Sequence, residues 1–159
     1  MTLYHGSNKD FSAVDFSKSK NKRDFGKGFY LTTIKEQALD WAKKQFDRFD
    51  GDDIIVYEYE LLNIDGLLIK KFEALSKEWI EFVMNNRTKG GLQHGFDVVQ
   101  GSVANDDTTE TIAFYVSGIY SVEEALNRLR YMKPNDQVSV HTEKALENLI
   151  LTGKEKYAK

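Results

Sequence analysis

The chain contains no cysteine, which removes a disulfide framework and thiolate chemistry from consideration. It has one proline, Pro134, so its breaks fall on glycine and Asn/Asp turns. No stretch approaches the ~20 apolar residues of a membrane span. Met1-Thr2-Leu3-Tyr4-His5-Gly6 lacks the basic-then-apolar pattern of a secretory leader. These absences lead to the expectation of a soluble, cytoplasmic protein with no membrane partner, leaving signal-independent export open. Neither charge sign dominates: the formal net charge is −3 and the isoelectric point is near 5.7, so nothing global points to nucleic acid. The sole basic run is Lys18, Lys20, Lys22, Arg23 and Lys27, which reads either as a solvated loop or as a loop that meets phosphates. There is no internal repeat, low-complexity tract, linker or dinucleotide glycine fingerprint.

What is present suits one folded domain over residues 1–159: hydrophobic residues make up 41% and aromatic residues 13%. Its organising stretch is Asp24-Phe25-Gly26-Lys27-Gly28-Phe29-Tyr30-Leu31-Thr32-Thr33. Glycine permits close approach where a side chain would block a ligand, and the aromatic and β-branched run that follows favours a strand. Tyr30 therefore falls just past a turn, able to offer a ring face and a hydroxyl. Upstream, Leu3-Tyr4-His5-Gly6-Ser7 is a β-like run ending in a turn pair. The polar loop Asn8 to Lys27 carries Phe11, Val14 and Phe16 as pins to the core.

Downstream, Thr33 and Glu36 have capping-box spacing. Ala38, Trp41, Ala42, Phe46 and Phe49 then form a helical apolar face, interrupted by Gln45. Ile54 to Leu62 alternates as a strand, with Tyr57, Tyr59 and Leu61 on one face and Glu58 and Glu60 on the other. Leu67 to Phe72 is a short apolar run, Trp79 to Val83 a helical stripe ending near Arg87, and Phe96 to Val103 a buried strand closed by Ala104-Asn105-Asp106-Asp107. Ile112, Tyr115, Val116 and Ile119 suggest a helix, and Ser121 with Glu124 caps another. Pro134-Asn135-Asp136 is a break. Gln137 to Thr142 reads as a strand with Gln137, Ser139 and His141 on one side. A short helix from Glu143 to Ile150 and a polar tail follow. Strands and helices mix without regular alternation, which favours an α+β fold.

Most familiar chemistries find no support. The three histidines, His5, His94 and His141, lack ligand spacing, and Asp106-Asp107 is too short for a calcium loop, so no metal is expected. A P-loop would need a Ser/Thr after its lysine, and a serine triad would need a nucleophile elbow.

Two motifs remain, in order: His5-Gly6-Ser7 and Phe25-Gly26-Lys27-Gly28-Phe29-Tyr30. Together they resemble the NAD-binding signature of ADP-ribosyltransferases of the diphtheria-toxin and poly(ADP-ribose) polymerase type. The whole chain, including Phe96 to Val103 and Gln137 to Leu146, also resembles a bacterial family of uncharacterised domains grouped with these enzymes. The resemblance implies a split β-sheet core with flanking helices, and NAD as substrate rather than as a resident cofactor. It implies an NAD-binding set of His5, Gly6, Ser7, Phe25, Gly26, Gly28 and Tyr30, and a catalytic set of His5, Tyr30 and Gln137. His5 is expected to bond a ribose hydroxyl, Gly6 to hold the carboxamide through its backbone, and Tyr30 to stack on nicotinamide. The third family position is usually a glutamate that stabilises the charge developing on the ribose. Gln137 departs from it, Glu143 being the alternative carboxylate; the lost charge is worth on the order of 3 kcal/mol, or about a hundredfold in rate. The expected activity is mono-ADP-ribosyl transfer, a glycosyl transfer to a protein or nucleic-acid acceptor, without chain elongation. A non-catalytic NAD-binding module and a structural protein that kept the fold are the alternatives. The resemblance also implies a bacterial toxin or effector, in some cases with an antitoxin partner.

Overall fold

The structure is a computed structural model that describes residues 1–104, 108–130 and 133–159. The Asp106-Asp107 run lies outside the described residues. Among the described residues seven strands form two sheets, and the fold is α+β. Strands β1 (Thr2–Ser7), β3 (Ile54–Leu61) and β7 (Leu149–Tyr157) make an antiparallel sheet in the order β1-β3-β7. Strands β2 (Phe29–Leu31), β6 (Gln137–Val140), β5 (Val98–Gly101) and β4 (Ile69–Lys71) make the second, in the order β2-β6-β5-β4, with only β4 and β5 parallel. The sheets meet at one bridge, where Tyr4 and Thr32 exchange backbone hydrogen bonds of 2.8 and 2.9 Å.

Strand periodicity explains the layering. Leu3, Ile55, Tyr57, Leu61, Val138 and Val140 project into one buried cluster between the sheets. The residues of opposite parity lie on the other faces of the sheets, where Gly6, Ile54, Val56, Gln137 and Ser139 are buried as well. On the second sheet, Val99 joins Phe25, Trp79, Ile80, Val83 and Leu129 in a second cluster. That cluster lies beneath α2 (Lys77–Lys89), α3 (Thr108–Val116) and α4 (Val122–Leu129). On the first sheet, Gly6 meets helix α1 (Lys35–Phe49): a Cβ on Gly6 would fall 1.9 Å from the carbonyl oxygen of Ala38. Helix α5 (Glu143–Glu147) leads into β7. Among the described residues, no helix is long and apolar enough to cross a membrane.

Several local expectations change. The Ser121–Glu124 capping box is present, but the one at Thr33 is not. Helix α1 starts from Ile34 with no side-chain cap, because Thr33 instead donates its hydroxyl to Asp136 at 2.7 Å. The apolar face of α1 narrows to Ala38 and Ala42, while Trp41 (43%) and Phe49 (57%) are exposed. Close seating of a helix on Gly6 leaves room for small residues only. On α3, Val116 is exposed, as is Ile119 just beyond it. The polar tail is a strand: Lys154, Glu155 and Lys156 pair with β3 through their backbones and form ion pairs with Asp10, Lys35 and Asp53. Edge strands carry such charged side chains because one ladder suffices to hold them.

Candidate functional site

A cleft of about 700 Å³ opens beside the bridge between the sheets. His5 and Gly6 reach it from β1, Tyr30 from β2 and Gln137 from the start of β6. The loop before β2 adds Lys22, Arg23 and Asp24, α2 adds Arg87, one side of α1 forms a wall, and Val103, Ala104, Lys133, Pro134 and Asn135 complete the lining.

His5 continues the junction that the Tyr4–Thr32 bridge begins. Its Nδ1 lies 2.7 Å from the carbonyl oxygen of Tyr30. A carbonyl only accepts, so Nδ1 carries the proton and Nε2 presents a lone pair. The ring packs against Phe29 at 4.4 Å between centroids and meets Phe11 edge-on. Burial drives its pKa down to about 4; the Tyr30 bond opposes this, and the charge of Arg23 adds to it. The imidazole is neutral at pH 7 and acts as an acceptor.

Tyr30 uses its hydroxyl at home. It donates to the carbonyl of Gly26 at 2.6 Å and accepts from the amide of Phe25 at 2.9 Å, closing the turn that precedes it. Burial raises its phenol pKa well above the usual range. The ring is what remains for a ligand, and the Arg23 guanidinium covers it at 4.6 Å. Such a contact is worth about 0.5–1 kcal/mol at an exposed site, a small cost for a flat ligand that displaces it.

Gln137 is 7% exposed. Its amide nitrogen donates to Asp24 Oδ2 at 2.9 Å and to the carbonyl of Ser102 at 3.1 Å. Both amide hydrogens are thereby used, and Oε1 is left as the acceptor. Asp24, 5% exposed, also takes the Arg87 Nε–H at 2.5 Å. A buried carboxylate is thus held against the back of the Gln137 amide, balanced by one arginine.

The remaining expected residues divide. Ser7 folds onto Lys9 and is outside the cleft lining. Phe25 is fully buried in the second cluster, so its side chain is packing, not a ligand contact. Gly26 (φ +90°) sits beneath Leu92 and Asn86, and a Cβ on Gly28 would meet the His141 ring and the Val140 carbonyl at 2.6 Å. The glycines of the second motif therefore serve close packing, and Gly6 is small because α1 crosses it. Glu143 is exposed on α5 and does not line the cleft.

The other histidines hold the 24–28 turn from behind. His94 Nε2 donates to the Phe25 carbonyl at 2.7 Å and its Nδ1 accepts from the Phe96 amide. His141 Nδ1 donates to the Lys27 carbonyl at 2.7 Å, and its Nε2 faces the Ser139 hydroxyl at the same distance. Among the described residues, no group of three or more His, Cys, Asp or Glu is placed to hold a metal. Asp24 and Arg87 are the site residues to which sequence reasoning gave no role, whereas Arg23 belongs to the basic run read as a loop that could meet phosphates. Asp24 opens the motif stretch itself, but its partner Arg87 lies 63 residues away, and no local signal links them.

These histidines set a pH dependence. Burial lowers His5 and His141 from 6.5 to about 4, and lowers His94 in the same direction. Between those values the unfolded chain binds more protons than the folded one, so stability is full above pH 6.5 and declines as pH falls toward 4. For His141, 8% exposed, the move from 6.5 to about 4 corresponds to about 3 kcal/mol. Urea unfolding at pH 7.5 and at pH 4.5 is expected to show a clearly lower midpoint at the acid value. Equal midpoints would contradict the neutral, buried rings.

The fold and cleft define a class: an α+β protein whose two sheets part beside a ligand-sized, basic-lined pocket. The chain belongs to the family described as "Protein of unknown function (DUF3990)", whose model matches residues 1–151. Comparison with curated proteins and with solved structures finds no match.

Proposed function

We propose that the protein is a mono-ADP-ribosyltransferase that uses NAD, transfers ADP-ribose to a macromolecular acceptor and releases nicotinamide. The observation that carries this reading is the convergence of His5, Gly6, Tyr30 and Gln137, from three strands of two sheets, on one cleft of about 700 Å³. That volume suits a nucleotide-sized ligand.

In the proposed reaction the bond between the ribose C1′ and the pyridinium nitrogen breaks, and its electron pair leaves with neutral nicotinamide. Positive charge grows on the ribose. A lone pair of the acceptor then bonds to C1′, and the acceptor's proton goes to solvent. The His5 Nε2 lone pair accepts from a ribose hydroxyl. The Tyr30 ring, cleared of Arg23, stacks on nicotinamide and fixes the leaving group, which lowers the entropic part of the barrier. Gln137 Oε1 accepts from a second ribose hydroxyl. The Asp24 carboxylate polarises that amide from behind, as chained hydrogen bonds do. Preorganised acceptors facing developing positive charge act without reorganisation at the moment of reaction.

The test uses NAD labelled on its adenylate, mixed with the protein and a bacterial lysate. Label is expected on a macromolecule, falling at least a hundredfold in His5→Ala and Tyr30→Ala. Transfer retained by both variants, each folded by circular dichroism, would sink the proposal. A second reading, an NAD-binding module without turnover, draws on the Gln137 amide itself: it supplies no negative charge, and its donors are committed to Asp24 and Ser102. Calorimetric NAD binding with no nicotinamide release would favour it.

A further inference from the structure

Helix α1 presents a second feature to the cleft. Trp41, Lys44 and Arg48, at three- and four-residue spacing, lie on the side of α1 that lines it. They cover about 10 Å of helix. Trp41 is 43% exposed. From across the cleft come Lys22 and Arg23.

The charge here runs against the chain as a whole. The net formal charge is −3, yet the cleft is lined by six cationic side chains and three carboxylates. Arg87 is paired with Asp24, and Lys133 with Asp40. Among the described residues, Lys22, Lys44 and Arg48 form no ion pair. With Arg23 they make a cationic surface larger than the two charges of one pyrophosphate require.

A flat aromatic ring beside cations without an ion-pair partner along a groove matches the recognition chemistry of single-stranded nucleic acid: a base has a face to stack, and each phosphate a charge to meet. An acidic peptide would use the cations but not the ring. We infer that the Trp41–Lys44–Arg48 face of α1 binds single-stranded nucleic acid and makes it the acceptor of the transferred ADP-ribose. The acceptor role rests on the proposed transferase reading; the binding does not.

Tryptophan fluorescence gives a direct test. The chain has two tryptophans, and Trp79 is 0% exposed, so quenching by an added strand reports Trp41. The full chain is titrated, without NAD, with mixed-sequence single-stranded RNA and DNA oligonucleotides. Expected are saturable quenching and a slope of log affinity against log salt of about −3, for four cations on a single strand. Trp41→Ala abolishes the quench. Lys44→Glu with Arg48→Glu weakens binding at least tenfold and flattens the slope. No quench at low salt, or a quench indifferent to those charge reversals, would each overturn the site. Labelled NAD and a bacterial lysate are then supplied with the bound oligonucleotide. Label on the strand supports the acceptor role; label on lysate protein instead overturns it. Label on nothing, with the quench intact, removes the transferase reading and the acceptor role together while the binding face stands.

Discussion

Gln137→Glu is expected to destabilise the protein by about 3 kcal/mol at neutral pH, although it introduces the carboxylate that the resemblance expects. The amide nitrogen it replaces lies 2.9 Å from Asp24 Oδ2, at a position 7% exposed. Two carboxylates at that distance cannot both ionise in a buried site without large cost. The donor that satisfied Asp24 disappears at the same time, and breaking a buried charged pairing costs about 3–5 kcal/mol. The sign with pH is fixed. The pair is relieved by taking up one proton, so the deficit relative to wild type is full at pH 7.5 and shrinks as pH falls. Moving the charge rather than adding one reverses the effect. In Asp24→Asn/Gln137→Glu, the new amide at 24 donates to the new carboxylate at 137. Stability should recover in part, because the carboxylate at 137 still faces the Ser102 carbonyl, 3.1 Å from the replaced nitrogen, without a donor. The carboxylate would then face the ribose position directly, and nicotinamide release should rise by up to about a hundredfold over wild type. Urea unfolding of the three variants, with nicotinamide release from NAD, checks both halves. A Gln137→Glu protein as stable as wild type would refute the Asp24 contact. A stable double variant with unchanged turnover would refute the electrostatic role.

Gly6→Ala is expected to cost 3 kcal/mol or more, with the larger part lost through packing. The added Cβ would lie 1.9 Å from the Ala38 carbonyl oxygen and 3.0 Å from the Ala42 amide nitrogen. Both are helix backbone, so no side chain can rotate away, and α1 would have to lift from β1. Overpacking of this kind costs about 1–3 kcal/mol where the surroundings can yield and more where they cannot. Because α1 also lines the cleft, displacement should alter ligand binding as a consequence of the shift. Thermal unfolding is the measure: a chain of this size should lose roughly 6–12 °C. Wild-type stability accompanied by lost NAD binding would return Gly6 to the role that sequence reasoning assigned it, a ligand contact.

Sequence reading and structure part company at identifiable places. The β-like run Leu3 to Ser7, the alternation in Ile54 to Leu62, the Ser121 cap and the turn before Tyr30 are local signals that map onto elements of the fold, although β1 continues through the Gly6-Ser7 pair read as a turn. The Thr33 cap failed because Asp136, 103 residues away, takes the threonine hydroxyl. The Leu149–Tyr157 strand was missed because its outward charges hide a backbone ladder that only β3 completes. Trp41 was assigned to the core from helical spacing, but spacing shows which residues share a face, not which faces find a partner.

What the sequence determined by itself is the set of local preferences: strand and helix runs, the order of the two motifs, and the presence of His5, Tyr30 and an amide at 137 where a carboxylate was expected. Tertiary structure alone decided what those groups have left to offer. It spends the Tyr30 hydroxyl on Gly26 and Phe25, gives the His5 proton to the Tyr30 carbonyl, and turns the Gln137 oxygen outward by binding its nitrogen to Asp24 and Ser102. The physical reason is that a buried polar atom must be satisfied by whatever partner the packing brings near. Those partners, such as Asp24 for Gln137 at 113 residues' separation, are set by how the sheets and helices dock.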